Sequence, residues 1–485
     1  MSRPFHIFTV GWEPPLIKSL TMPIAELTGI QFSHGLVGDA DRLRSLREEL
    51  AGVECVALSK AKSETLPAPD YELLASLESV GVPTIRSMVL GDRVLRHRDE
   101  RVSLGYATLL AGRIGKFLQE RRPDLVLGSF DSLHAALSLG VAKSMGIPWV
   151  AMAFTTIPND LTGFCRGVTP DTLVPLGRPV DPSLMQQARE LAQNVRLKRQ
   201  KVLAYRPPTS LTQKARRVVE YGTNFFTRLL RSTEIGHDEF CFPTIGERIG
   251  DIVRRSANRL RFPSARMLTA PPEGGFAFFP LHMSPESSID TWASFYQDQL
   301  SFAATLAQAL PIDMELVVKL HFSDPDNYSR EQLLKLTSLP RVRIAHPDAP
   351  SRSFLERAGL VIGIQGTSCL EAALLGRPVL IFGDSPYQHF PRTERAARRD
   401  RLHEQIRRMS REPPANEEMI VAAYAAYLAR YLPGRVNDWY TAIEANDMRQ
   451  LADCFRALRS HIESPTVRTD WYSAPPFAPA MREAM

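Results

Sequence analysis

The sequence predicts an α/β fold built from two Rossmann-like domains in series. Three observations carry that prediction. The 485 residues exceed what one hydrophobic core usually organises. Residues 122–158 read as strand, helix, strand, with the turn signals of a parallel crossover. From residue 275 onward, short apolar runs alternate strictly with helical patterns.

Residues 6–10 alternate and are β-rich, Gly11 and Pro14-Pro15 close that strand, and 16–28 take helical spacing. Further on, 125–127 is a buried strand, Asp131 a plausible cap, 133–145 a small-residue helix, Gly146 its stop, and 149–154 the next strand. Residues 1–265 therefore read as the first domain, interrupted by a Pro-rich, basic insertion over about 169–233 that is expected to be helical. In the second domain, 266–395, strands are expected at 276–279, 314–319, 342–345, 360–364 and 379–382. Helices are expected between them at 292–310, 329–338 and 351–358, and again over 369–375 behind a turn, Gly366-Thr367-Ser368, with a hydroxyl cap. The tail, 396–485, is helical and charged, broken at Pro413-Pro414 and Pro433-Gly434, and long enough to cross back onto the first domain.

Composition narrows the class of protein. With 44% hydrophobic and 23% charged residues the chain reads as soluble and globular, and no apolar run reaches the ~20 residues of a membrane span. The first residues lack the layout of a signal peptide, so a cytoplasmic location is expected. Cys55, Cys165, Cys241, Cys369 and Cys454 are odd in number and form no CxxC, which suits reduced packing residues. The net charge of +6 is unevenly spread. Ten cations lie between Arg196 and Arg231, opposed only by Glu220, and Arg254, Arg255, Arg259, Arg261 and Arg266 form a second cluster. Such a surface attracts an anionic membrane face, an anionic polymer or nucleic acid; without an RNA-binding or zinc-finger signature, nucleic acid is the least supported.

Two such domains imply a cleft onto which both present the carboxyl ends of their strands. Three loops of the second domain converge there. They bring His282 and Glu286, then Lys319 and His321, then Gln365, Gly366, Thr367 and Ser368. Lys319, His321 and the helix N-terminus after Gly366 would neutralise a phosphate. Glu371, one turn inside that helix, would repel a bare phosphate but accept hydrogen bonds from ribose hydroxyls. Together they suggest a nucleotide, with His282 and Glu286 free for sugar or base contacts.

The runs FAFFPLHMSPESS, DQL (298–300), ALP (309–311), VVKLH (317–321) and GTSCLEAALLGRPVLIFGDSPY (366–387) resemble the capsule polysaccharide biosynthesis family. Members of that family are similar to GT-B glycosyltransferases, including bacterial Kdo transferases. The resemblance implies a GT-B fold, two Rossmann-like domains facing across a cleft with C-terminal helices crossing back. It further implies a nucleotide-sugar donor on the C-terminal domain and a glycan or glycolipid acceptor on the N-terminal one. On the family pattern His282, Glu286, Lys319, His321, Thr367 and Glu371 are donor-site residues. The family often has a histidine followed by proline where this chain has His321-Phe322, and CMP- and UDP-linked donors both stay open.

The implied reaction displaces the nucleotide from the anomeric carbon, with a general base taking the proton of the acceptor hydroxyl. Glu13, Asp131 and His134, at strand ends of the first domain, are the candidate bases. The triplets Asp39-Ala40-Asp41 and Asp324-Pro325-Asp326 occur at the rate chance provides, so no metal and no cofactor is expected. Two other readings use the same cleft: a sugar-nucleotide 2-epimerase, and a non-catalytic nucleotide- or glycan-binding subunit. The basic insertion favours transfer at the inner face of the membrane, because a lipid-borne or anionic acceptor needs a cationic docking face.

Overall fold

The structure is a computed structural model. It describes residues 3–12, 16–38, 50, 52–61, 64–129, 132–169, 172–197, 240, 243–396, 398–436, 443–465, 467 and 471–472. The first half of the chain supplies β1 (His6–Val10), α1 (Met22–Thr28), β2 (Gln31–Leu36), β3 (Glu54–Ala57), α2 (Tyr71–Ser79), α3 (Ile85–Gly91), α4 (Glu100–Arg121), β4 (Leu125–Gly128), α5 (Leu133–Ser144), β5 (Trp149–Phe154), β6 (Leu161–Cys165), α6 (Pro182–Arg196) and α7 (Ile245–Leu260). Then come β7 (Phe276–Pro280), α8 (Ser287–Asp290), α9 (Gln299–Ala309), β8 (Glu315–Lys319), α10 (Arg330–Thr337), β9 (Val342–Ala345), α11 (Ser351–Arg357), β10 (Leu360–Gly363), α12 (Thr367–Leu374), β11 (Val379–Ile381) and β12 (Thr393–Arg395). The tail adds α13 (Leu402–Met409), α14 (Glu417–Leu428), β13 (Leu432–Pro433) and α15 (Ala445–Glu463).

These strands form two sheets. The first runs β13-β6-β5-β4-β1-β2-β3, parallel from β5 to β3 and antiparallel at β6 and β13; the second runs β12-β11-β10-β7-β8-β9 and is parallel throughout. Parallel strands covered on both faces must be apolar along their whole length. In β7, accordingly, Phe276 and Phe278 enter one core while Ala277 and Phe279 enter another, and in β1 Ile7 and Phe8 divide in the same way. Both sheets reverse strand order once, between β1 and β4 and between β7 and β10. At such a reversal the loops leaving adjacent strands diverge, which opens a crevice at the strands' carboxyl ends.

The tail crosses back. Ile420, Val421, Tyr424 and Leu428 of α14 share an apolar cluster with Leu184 and Ala188 of α6 and Leu370 of α12, so one core joins the two sheets. β13 then pairs with β6, and Leu451, Phe455 and Leu458 of α15 pack with Phe5, Ile7 and Phe32 of the first sheet. The architecture is α/β, with two Rossmann-like sheets facing across a cleft and helices returning to the first.

Two expectations are corrected. The helix expected over 292–310 is only α9, because Asp298 accepts the Ser301 N–H (3.0 Å) and so caps the helix at Gln299; a 3-10 turn, Ser294–Tyr296, precedes it. No hydroxyl caps α12: its N-cap is Gly366, at φ 106°, without a side-chain cap bond.

Candidate functional site

The crevices at the two reversals face each other and merge into one cleft of about 840 Å³. Gly11 and Trp12 after β1, Gly128 at the end of β4 and Ser129 beyond it, and Met152 and Phe154 of β5 line the first-domain wall. On the opposite wall lie His282, Glu286, Lys319, His321, Gln365, Gly366, Thr367, Ser368 and Glu371, so the fold brings together the eight residues expected from the three loops and the glutamate expected one turn inside the helix.

The loop after β7 is clamped from behind. Gln299, 2% exposed, accepts the His282 N–H on Oε1 (2.7 Å) and donates from Nε2 to the His282 carbonyl (3.1 Å). Asp324 accepts the Ser284 N–H (2.8 Å), and Gln365 donates to the Ser288 carbonyl (2.6 Å). Within the loop His282 Nδ1 meets Glu286 Oε2 at 3.2 Å, so Nδ1 carries a proton and Nε2 is left for a ligand. Burial pushes the Glu286 carboxyl up, but the bonds from His282 and Ser288 outweigh it and hold the group below the usual carboxylate range.

Lys319 ends β8 and is 4% exposed. Its ammonium donates to the carbonyls of Pro347 (2.8 Å) and Leu320 (3.4 Å), and burial lowers its pKa to about 8. Two carbonyls thus already hold the charge that was expected, with His321 and the helix N-terminus, to meet a phosphate. His321 Nδ1 accepts the Ser323 N–H (3.3 Å) and lies 3.6 Å from Asp324, which places the neutral ring's proton on Nε2.

At the reversal itself, Gly366 can hold its positive φ because it has no side chain. A β-carbon there would come within 2.8 Å of the His282 ring. Tyr387 donates to the Gly366 carbonyl (2.8 Å) and fixes the turn. The first amides of α12 therefore open onto the cleft with no carbonyl of their own helix in front of them. Glu371 is held by Arg352 through Oε1 (3.0 Å), a partner with no local signal in the sequence.

Among the candidate bases, His134 stands in the first turn of α5, bonded to Ser132, and touches Gly11 so closely that a β-carbon on that glycine would collide with the imidazole. It is not among the residues that line the cleft, whereas Gly11, which it touches, is. Glu13 and Asp131 lie outside the described residues, as do Asp39-Ala40-Asp41 and the basic insertion from 198 to 239. In the other acidic triplet, Asp326 pairs with Arg255 (3.3 Å) and Arg259 (2.9 Å), while Asp324 holds Ser284. Sequence reasoning missed Trp12, Met152, Phe154 and Trp292, and also Tyr427 and Tyr431, which the crossing tail brings to the cleft from far along the chain.

Fold and cleft together define a GT-B-type α/β protein whose second domain presents a helix N-terminus, two histidines and two carboxylates to the cleft. Over residues 243–429 the chain matches the model of the capsule polysaccharide biosynthesis protein family, in agreement with the resemblance carried by its motifs. No curated protein matches the chain. Similar solved structures include the KpsC β-Kdo 2,7 transferase of Thermosulfurimonas dismutans (9% identity, 92% of this chain and 99% of that one, TM-score 0.37). The glycotransferase of kitacinnamycin is also similar (17% identity, 94% and 99%, TM-score 0.25). So is the UDP-GlcNAc 2-epimerase of Neisseria meningitidis bound to UDP-GlcNAc (12% identity, 93% and 100%, TM-score 0.28). Likenesses this low carry no argument of their own.

Proposed function

We propose that the protein is a glycosyltransferase of bacterial capsule or surface-polysaccharide biosynthesis. It would take a sugar from a CMP-Kdo-like or UDP-linked donor and pass it to a lipid-linked or glycan acceptor. The observation that carries this reading is the convergence of His282, His321, Glu371 and the α12 N-terminus at the strand reversal of the family-matched segment. Phosphate oxygens suit the helix amides and the His321 Nε2–H, and ribose hydroxyls suit Glu371. The acceptor oxygen attacks the anomeric carbon, the bond from that carbon to the phosphate oxygen breaks, and a first-domain base takes the proton. Amides and cations, rather than a metal, stabilise the leaving phosphate in this reading. In this reading the acceptor lies at the inner face of the membrane, with the basic segment 196–231 as a docking surface.

Titration of the full chain with CMP and with UDP tests the donor site. Binding of one nucleotide well above the other is expected, and binding of neither removes the reading. Turnover of a sugar nucleotide into an epimer without acceptor would replace transfer by 2-epimerisation. Activity is expected to survive EDTA; loss restored by magnesium or manganese would place a metal in the mechanism.

A further inference from the structure

Helix α7 turns only its polar side to the body of the protein. On a helix of about 100° per residue, Asp251, Arg254, Arg255 and Asn258 share one side. There Arg254 donates to the Asn327 carbonyl (2.9 Å) and Asn258 to the Asp326 carbonyl (2.9 Å). Ile245, Ile249, Ile252, Val253 and Leu260 fall within about 100° on the opposite side. Of these, Ile249 is 48% exposed, Ile252 42%, Val253 62% and Leu260 89%, and no residue of the helix is buried. Isolated exposed apolar residues are ordinary, but a continuous stripe along a helix is a surface built to be covered.

We propose that this stripe lies in the plane of an anionic bilayer and docks the protein there. Charge selects the partner. Residues 243–266 hold six arginines against two acidic residues, and the preceding residues 198–242 hold nine Lys or Arg against four Asp or Glu. Arg248 and Arg259 border the apolar sector along one edge, and Arg259, although one of its nitrogens meets Asp326, has its side chain 71% exposed, the placement that lets guanidinium groups reach lipid phosphates while the stripe enters the acyl boundary. A protein partner would also cover apolar side chains, but it would not call for a cationic excess on both the helix and the chain that leads into it. Among the described residues no helix is long and apolar enough to cross a membrane, so attachment through α7 is interfacial. The proposal does not depend on the chemistry of the cleft.

The test uses the full chain with phosphatidylglycerol and phosphatidylcholine vesicles at low and high salt. The variant I249Q/V253Q/L260Q is compared with wild type, since its three positions are exposed and outside the cleft. Co-sedimentation with anionic vesicles is expected to fall at least tenfold in the variant, with its thermal melt and its CMP or UDP binding unchanged. In a separate Val253→Trp variant, brominated phosphatidylglycerol is expected to quench the added fluorescence. Four results overturn the proposal: equal pelleting of wild type and variant, which assigns attachment to charge alone; no pelleting of wild type at low salt; equal pelleting with neutral vesicles; or a wild-type dimer that the variant dissolves, which makes the stripe a contact between copies of the chain. Loss of nucleotide binding with docking intact would instead strike the transferase reading and leave this one standing.

Discussion

Lys319 carries a charge in a place that resists it, and its pKa of about 8 makes a proton measurable there. A lysine whose pKa drops on folding is protonated in the unfolded chain up to about pH 10.4 but not in the native one, so stability rises with pH between about 8 and 10.4 as the buried charge disappears. A phosphate in the cleft would favour the ammonium again. Nucleotide binding at pH 9 is therefore expected to take up a proton, seen by calorimetry as a binding heat that changes with the ionisation enthalpy of the buffer. Lys319→Met should abolish the dependence. A buffer-independent heat in wild type would leave Lys319 with the Pro347 carbonyl as its only task. Glu371 gives a second test. If it accepts ribose hydroxyls, Glu371→Ala weakens the nucleotide by about 1 to 3 kcal/mol, roughly 5- to 150-fold in Kd. If its task is only to hold Arg352, which Glu356 (2.8 Å) and the Arg196 carbonyl (3.1 Å) also hold, the nucleotide Kd is unchanged.

Elements explain why some of this was readable in the residues and some was not. β4, β5, β7, β8, β10 and β11 are apolar runs between turn signals because neighbours cover both faces, and each was expected within a residue or two. β2 shows no such pattern. It buries Ser33 and His34, which the sheet tolerates because His6 bonds Ser33 (2.8 Å) and Thr9 bonds His34 (2.6 Å) across strands. Burial then drives the His34 pKa down to about 3 and keeps the ring neutral. A window on β2 alone contains none of those partners. The cleft repeats the lesson: its loops announced themselves through His282, His321 and Gly366, but what aims them did not. Gln299 reads as an ordinary helix residue until its amide is seen against both backbone groups of His282. Gln299→Leu leaves a buried N–H and C=O without partners, at about 1 to 3 kcal/mol each. The expected result is a lower melting temperature together with weaker nucleotide binding, although Gln299 itself does not line the cleft. A lower melt with unchanged Kd would show that the clamp serves the fold and not the site.

At the scale of the whole molecule, the two domains meet differently on either side of the cleft. On one side the apolar core around α14 is continuous from α6 to α12. On the other, contact between α3 and the α8 region is polar and small: Ser87 meets Ser294 (2.9 Å), Gln297 donates to the Leu90 carbonyl (3.2 Å), and the buried carboxylate of Asp290 faces Arg93 (3.4 Å) and Arg96 (3.6 Å). Gly91 lies against Asp290 so closely that a β-carbon would collide with its carbonyl oxygen. A continuous apolar core resists opening, whereas a few polar bonds exchange readily with water, so any movement of the domains should pivot on α14 and part at Asp290. The same residue follows Ser287 and Ser288 of the cleft wall, which ties this contact to the loop after β7. Asp290→Ala removes the shared acceptor of two arginines and should shift the molecule towards an open form. Small-angle scattering is expected to show a larger radius of gyration for the variant, with nucleotide Kd within about twofold of wild type because the proposed donor site belongs to one domain. Transfer, which needs both walls, should fall at least tenfold in kcat. A variant with wild-type scattering and wild-type kcat would make Asp290 a packing residue and move the closing contact elsewhere on the interface.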